Sequence, residues 1–229
     1  VKIEQKYVFI AQLKEMIIEW AEYCCVRDPR YYYGPVSTLY FDTPGLHHYG
    51  EKRNSDYIKA KVRLRWYEDL DTRNRAGAVG CYIEAKQKQG ISRHKKRKEV
   101  VISSERLCHD PFSDEEILGL PSMVYELDYL PPGILVPMLL IQYDRYRFVD
   151  PRSGSRIAID TNIRCTGANP AFIPRVPPVY LDAGVLEVKG LHRDLPGSFD
   201  PIVAHLNREA FSKYGRCYEH LLQPLGRRL

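Results

Sequence analysis

Residues 57–69, YIKAKVRLRWYED, alternate with period two. One face carries Tyr57, Lys59, Lys61, Arg63 and Arg65, and the other carries Ile58, Ala60, Val62, Leu64 and Trp66. Alternation over this length marks a β-strand with one buried face. Its polar face holds four cations and no acid. Like charges at neighbouring positions repel, so a solvated strand face normally mixes signs. Any fold built on this strand has to cover the apolar side with other elements and give the basic side either open solvent or an anion.

The same sorting applies elsewhere. Residues 1–10 read as a strand with Lys2, Glu4 and Lys6 opposite Ile3 and Phe9. A strand over 80–88 aligns Tyr82, Glu84, Lys86 and Lys88 against Cys81, Ile83 and Ala85. Near 145, Tyr143, Arg145 and Arg147 share a face; the following strand puts Arg156 and Asp160 opposite Ile157 and Ile159, and GVLEVKG puts Glu187 and Lys189 opposite Leu186 and Val188. Twelve cations stand on these faces against Glu4, Glu84, Asp160 and Glu187, with Asp42 as a fifth acid if VSTLYFDT aligns likewise. That is +7 on the strand faces, while the whole chain carries only +5, so the remainder is negative. A charged strand face is usually just the solvated side of a half-buried sheet. Here the bias recurs on several strands, each with an apolar opposite face. If helices cover the apolar faces, the basic faces turn inward on a closed barrel, whose narrow lumen holds many cations only with counter-charge. An anion chain along the lumen supplies it, and Arg and Lys are the residues that bind phosphate.

Between the strands, residues 11–24 read as an amphipathic helix with Leu13, Met16, Ile17 and Trp20 at helical spacing. DPRYYYGP is a break, and a further strand is expected over 92–102. Residues 103–130 turn helical, with a helix start at Ser113–Asp114–Glu115–Glu116. Strands over 138–149 and 155–163 flank the turn DPRSGS, a proline-rich loop spans 170–178, and Ser198 to Gln223 reads as helical. The expected class is α+β: an antiparallel sheet or barrel with packing helices, all 229 residues in one domain. Six cysteines without a C-x-x-C pair suggest neither a zinc site nor a disulfide framework, and free thiols suit a reducing, cytoplasmic compartment. There is no signal peptide and no apolar run of membrane-spanning length. The first residue is Val1 rather than Met, which suggests a fragment.

In order along the chain stand EQKYVF, STLYFDT, VRLRWYE, YIEAKQK, HKKRKEV, IQYDRYRFVD with SRIAIDTNI, GVLEVKG and FSKYG. This ordered set, from residue 2 to about 216, resembles VTC domains, the polyphosphate-polymerase branch of the triphosphate tunnel metalloenzymes, which also include the CYTH proteins. The resemblance implies an antiparallel eight-stranded β-barrel tunnel that binds a triphosphate with Mn²⁺ or Mg²⁺. The implied reaction transfers the γ-phosphoryl group of ATP to a growing polyphosphate chain and releases ADP. By the same resemblance Lys6 is a first-strand phosphate ligand, and Arg63 and Arg65 are paired phosphate clamps. Lys86 and Lys95 match the two tunnel lysines, with Arg97 beside Lys95, and Tyr143, Arg145 and Arg156 match further phosphate contacts. Glu187 resembles the metal-binding carboxylate, with Glu4 a second candidate, and Ser212 and Lys213 resemble contacts from the C-terminal helix. Lys59, Lys61 and Lys189 join the phosphate set through the faces they share.

Three departures stand out. Ala210 occupies a position where the better-known eukaryotic members have Lys, which removes one phosphate contact. Ala85 stands where the family often has Arg and should face away from the lumen. The CYTH signature E-x-E-x-K reads Lys2-Ile3-Glu4-Gln5-Lys6 here, so one oxygen ligand for a hard divalent cation is missing. That argues against two-metal triphosphatase or cyclase chemistry.

Other functions find less support. No G-x-x-x-x-G-K-[ST] is present, which excludes an ordinary P-loop kinase. The seven histidines form no catalytic or metal constellation. Tyr31–Tyr32–Tyr33 beside Arg30 invites a nucleic-acid stacking surface, and HKKRK a basic patch, but the cations belong to inward strand faces, so no nucleic-acid partner is expected. The partners expected are ATP and polyphosphate or pyrophosphate; a membrane or inositol-phosphate-sensing partner would lie outside this chain. Two alternatives remain on the same tunnel: a triphosphatase, and a polyphosphate-binding module without catalysis.

Overall fold

In the computed structural model, which describes residues 3–67, 77–90, 92–174, 177–192 and 194–222, eleven strands form one antiparallel sheet. They are β1 (Ile3–Phe9), β2 (Val26–Arg27), β3 (Tyr33–Asp42), β4 (Ile58–Trp66), β5 (Ala78–Gln89) and β6 (Ser92–Ser103), then β7 (Val136–Val149), β8 (Arg156–Ala168), β9 (Val179–Tyr180), β10 (Gly184–Gly190) and β11 (Asn207–Arg208). Helices are α1 (Lys14–Cys24), α2 (His47–Arg53), α3 (Ser104–His109), α4 (Glu115–Gly119) and α5 (Lys213–Leu222). Short 3₁₀ stretches cover Ala11–Leu13, Leu120–Leu127 and Gly197–His205.

Eight strands carry the ladder in the order β1-β10-β8-β7-β3-β4-β5-β6, with β11 on the outer edge of β1. The strand count matches the expected barrel, but among the described residues the ladder does not close: β1 and β6 are not hydrogen-bonded neighbours. Side chains bridge the gap instead. The Glu4 carboxylate on β1 meets Arg93 Nη1 on β6 at 3.2 Å and Lys86 Nζ on β5 at 3.2 Å.

Three apolar clusters hold the sheet: the first and third lie on its outer face under helical cover, and the second lies under α5 on the inner face that also carries Thr38, Tyr40 and Tyr143. Leu39, Val62, Leu64, Trp66 and Ile83 pack beneath Leu107, Ile117, Leu120 and Val124 of α3, α4 and the following 3₁₀ stretch. Val36, Ile141 and Ile163 pack beneath Tyr214, Cys217 and Leu221 of α5. Phe9, Ile157, Ile159 and Leu186 pack beneath Ile17 and Ala21 of α1, with Phe199 and Ile202. This outward coverage turns the charged faces toward one another, as the alternation requires.

Local sequence sets the helix starts. Asp114 Oδ1 accepts from the amides of Glu116 and Ile117, both at 3.1 Å, and caps α4 within the expected Ser113–Glu116 stretch. Two expectations need correction. The helix expected over Ser198–Gln223 begins only at Lys213; before it, Pro201 sits within a 3₁₀ stretch and Asn207–Arg208 form a strand (Gln223 and Lys2 lie outside the described residues). Asp42 does not share the tunnel face. It is fully buried and accepts from the amides of His48 at 2.8 Å and Tyr49 at 3.0 Å and from the Tyr214 hydroxyl at 2.9 Å, so it ties α2 to α5.

Gly184 opens β10 opposite Phe9, where a Cβ would lie 2.2 Å from two ring carbons of a side chain only 1% exposed. Gly184→Ala is expected to cost about 1–3 kcal/mol by overpacking. Thermal unfolding should show a fall of roughly 2–4 °C for each kcal/mol lost.

Candidate active site

The inward faces enclose a cavity of about 710 Å³. Fourteen Lys and Arg side chains line it, against three acids, Glu4, Glu187 and Glu209. Such an excess in a narrow bore is costly, and an anion that shared it would relieve the cost.

Strand register explains the convergence. Arg63 and Arg65 on β4 face Glu84 and Tyr82 on β5, Lys61 faces Lys86, and Lys86 in turn faces Lys95 on β6. Across the bore, β1 pairs with β10 so that Lys6 stands beside Glu187 and Glu4 beside Lys189. Arg145 on β7 stands opposite Asp160 on β8.

Two fully buried carboxylates fix the arginines. Glu84 Oε2 accepts from Arg63 Nε at 2.7 Å and pairs with Lys95 through its other oxygen. Burial raises the Glu84 carboxyl, but Arg63, Arg65 and Lys95 outweigh that and leave it at about 2. Asp160 accepts a bidentate fork from Arg145, Nε at 2.5 Å and Nη2 at 2.7 Å, and also pairs with Lys213. Despite burial, Arg145 and Lys213 hold the Asp160 carboxyl far below its usual range. Arg145 and Lys213 also lie over the Tyr143 ring, 5.3 and 4.4 Å from its centroid. Burial pushes the Tyr143 phenol up, but Arg145, Arg65 and Lys213 pull it below the ordinary value. Arg65 is 5% exposed and donates to Thr38 Oγ1 at 3.2 Å.

The lysines are held differently. Lys61 Nζ donates to Ser212 Oγ at 2.7 Å, and Lys6 Nζ to the Phe211 carbonyl at 3.2 Å, so the segment before α5 closes one wall. Burial, then the cations Lys6, Arg63, Lys52 and Lys86, push the Lys61 ammonium well below its usual range. Burial lowers Lys6 as well, with Glu187 only partly opposing. Lys189 pairs with Glu187 at 2.6 Å.

Most sequence-predicted residues meet at this cavity: Lys6, Lys59, Lys61, Arg63, Arg65 and Lys86 line it, as do Lys95, Tyr143, Arg145, Lys189, Ser212 and Lys213, with the acids Glu4 and Glu187. Arg156 and Arg97 do not line it. Arg156 is exposed at the start of β8, four residues from Asp160 on the same face and beyond the wall. Arg97 is exposed on β6 and lies over the Tyr82 ring, 4.6 Å from its centroid, rather than beside Lys95. Ala210, the position of the family's Lys, lines the cavity, and Ala85 packs in the outer core. The sequence reading missed Lys52, Arg93 and Arg208. Arg93 was findable, since it shares the parity of Lys95. Lys52 was not, because α2 lacks an apolar period and depends on Asp42 at the end of β3 for its first amides.

Among the described residues no group of three or more His, Cys, Asp or Glu side chains is placed to hold a metal. Glu4 and Glu187 both face the cavity from the paired strands β1 and β10; burial and then Glu187 push the Glu4 carboxyl up, but Lys86, Lys6 and Lys189 leave it below its ordinary value. Such a pair suits Mg²⁺ or Mn²⁺ held by one or two carboxylates together with substrate phosphates.

Fold and bore together define a cation-lined tunnel of the triphosphate tunnel type. The profile of the VTC domain matches residues 1–222, and the chain belongs to the VTC domain family. A search of curated proteins found no match. Among solved structures, a candidate adenylate cyclase from Bacillus halodurans is similar at 12% identity with a TM-score of 0.56, covering 94% of this chain and 96% of its own. A second candidate adenylate cyclase, from Vibrio parahaemolyticus, gives 12% identity and a TM-score of 0.44 over 96% and 97% of the two chains. At 12% identity the likeness to the Bacillus halodurans structure speaks to fold alone.

The lowered lysines make a prediction. An entering polyanion favours their charged forms, so binding should take up protons at alkaline pH, and affinity should fall as pH rises. Calorimetry with inorganic tripolyphosphate in buffers of different ionisation enthalpy checks this; proton release on binding would contradict it.

Proposed function

We propose that the chain is a polyphosphate polymerase that transfers the ATP γ-phosphoryl group to the end of a polyphosphate chain inside the bore. The observation that carries this reading is the convergence of Arg63, Arg65, Arg145, Lys6, Lys61 and Lys213 on one cavity, in a chain of the VTC family.

Phosphoryl transfer asks a protein mainly for positioning and charge stabilisation. Glu84 and Asp160 hold the Arg63 and Arg145 guanidiniums in place before substrate arrives. Little reorganisation is then needed as charge develops on the departing ADP. Lys61, Lys6 and Lys86 neutralise the linked phosphates, and the bore aligns donor and acceptor in line. The acceptor is an ionised phosphate, so no general base is required. Glu187 and Glu4 would hold Mn²⁺ or Mg²⁺, which when bound neutralises charge on the phosphate oxygens. The scarcity of carboxylates favours transfer over the two-metal hydrolysis considered above. Six cysteines without a C-x-x-C pair fit a reducing compartment such as the cytoplasm. No helix among the described residues is long and apolar enough to cross a membrane.

Incubation with ATP and Mn²⁺, followed by gel analysis, should yield polyphosphate and ADP. Free phosphate without chains would instead mark a hydrolase. Glu187→Ala should abolish turnover while retaining polyphosphate binding; unchanged turnover would exclude its metal role. Arg65→Ala should lower synthesis by about two to three orders of magnitude, the scale of a lost oxyanion donor, with the fold intact by circular dichroism. Wild-type turnover in that variant would overturn the assignment.

A further inference from the structure

The two ends of the bore differ in chemistry. β4 runs from Lys59 at one end to Trp66, with Tyr67 next, a span of roughly 26 Å at strand rise. At the Lys59 end, Lys88 pairs with Lys59 and Arg93 with Lys88, and Lys52 joins them on the lining. The ring nearest that end, Tyr57, lies against the Gly90 turn, where a Cβ would meet it at 2.7 Å.

The opposite end is aromatic. Tyr67 lines the cavity and is 39% exposed. Its ring stands edge-on to Tyr82, with centroids 6.3 Å apart and planes at 63°. The Arg147 guanidinium lies 5.9 Å from the Tyr67 centroid and that of Arg97 4.6 Å from Tyr82. By strand alternation Tyr67, Tyr82, Arg97 and Arg147 stand on the faces that carry Arg65, Glu84, Lys95 and Arg145. Arg97 and Arg147, like Arg156, miss the phosphate cavity, and these two lie on aromatic rings instead.

We propose that this end is a nucleobase subsite: the purine of the donor nucleotide stacks on Tyr67, flanked by Arg147 and Arg97, with its triphosphate running inward onto Arg65, Arg63 and Arg145. Bases stack on aromatic rings and guanidinium planes, a mode that an exposed tyrosine beside two arginines provides. Tyr67 lies about 7 Å along the strand from Arg65, an interval that a ribose fills. The lysine end offers ammonium groups for phosphate, and its ring, Tyr57, is exposed but does not line the cavity. The subsite rests on the reading of a nucleoside triphosphate as donor, and it orients that donor in the bore.

Calorimetric titration with a non-hydrolysable ATP analogue and with inorganic tripolyphosphate tests it. Tyr67→Ala should weaken the analogue roughly ten-fold or more and leave tripolyphosphate within about two-fold, while Tyr67→Phe restores the analogue. Arg97→Gln, on an exposed strand, should weaken the analogue alone to a smaller degree, and it reads the same comparison if Tyr67→Ala fails to fold. Equal losses for both ligands, or an unchanged affinity for the analogue, would overturn the subsite. Failure of the wild-type protein to bind tripolyphosphate at all would instead remove the phosphate-channel reading beneath it.

Discussion

Two carboxylates without solvent exposure, Glu84 and Asp160, set the geometry of everything around them. Each sits between an arginine and a lysine, Arg63 with Lys95 and Arg145 with Lys213. Removing one partner from a buried pair leaves a charge uncompensated, at a cost of about 3–5 kcal/mol. The arginines therefore hold position without ligand. The lysines between them carry the opposite character. Lys61 and Lys52 lie among cations, and burial followed by neighbouring charge lowers both. The bore combines a fixed guanidinium frame with ammonium groups that gain most when an anion enters.

An unclosed ladder encloses such a bore with charge joining its edges and with α5 and the segment before it packed on the inner face. Two apolar clusters cover the outer face, and a third packs α5 onto the inner face beside the charged side chains. Glu4 spans from β1 to Arg93 and Lys86. β6 is nearly all exposed over residues 92–99 and carries Arg93, Lys95, Lys96, Arg97 and Lys98. Charge of that density also blunts an edge strand against pairing with other chains.

The fold was legible where period two ran long. The strands over 57–67, 80–88 and 92–102 and the helix over 11–24 lie within a few residues of β4, β5, β6 and α1. The inward turn of the basic faces followed from the apolar faces alone. Closure did not, because edge pairing depends on how far the sheet curls, which no local pattern encodes. α2 was invisible for a similar reason: HHYGEKR has no apolar stripe, and its first amides are satisfied by Asp42, the last residue of β3, which counted as a lumen acid if its strand aligned with the others. Arg156 shows the limit of parity. Alternation gives the face, not the depth, and this residue shares Asp160's face while lying past the wall. Arg97 shows another, since a long side chain on the correct face was drawn to the Tyr82 ring.

Family membership and fold place the chain among tunnel proteins, and the charge distribution argues what the tunnel holds. The central claim is that linked phosphates occupy the bore, contacted by Lys61, Arg63 and Arg145 together. A crystal structure of the protein soaked with inorganic tripolyphosphate tests it most directly. The account predicts a chain of phosphate density along the cavity, within hydrogen-bonding distance of those three side chains. Density confined to the outer surface, with the bore filled by solvent, would contradict it.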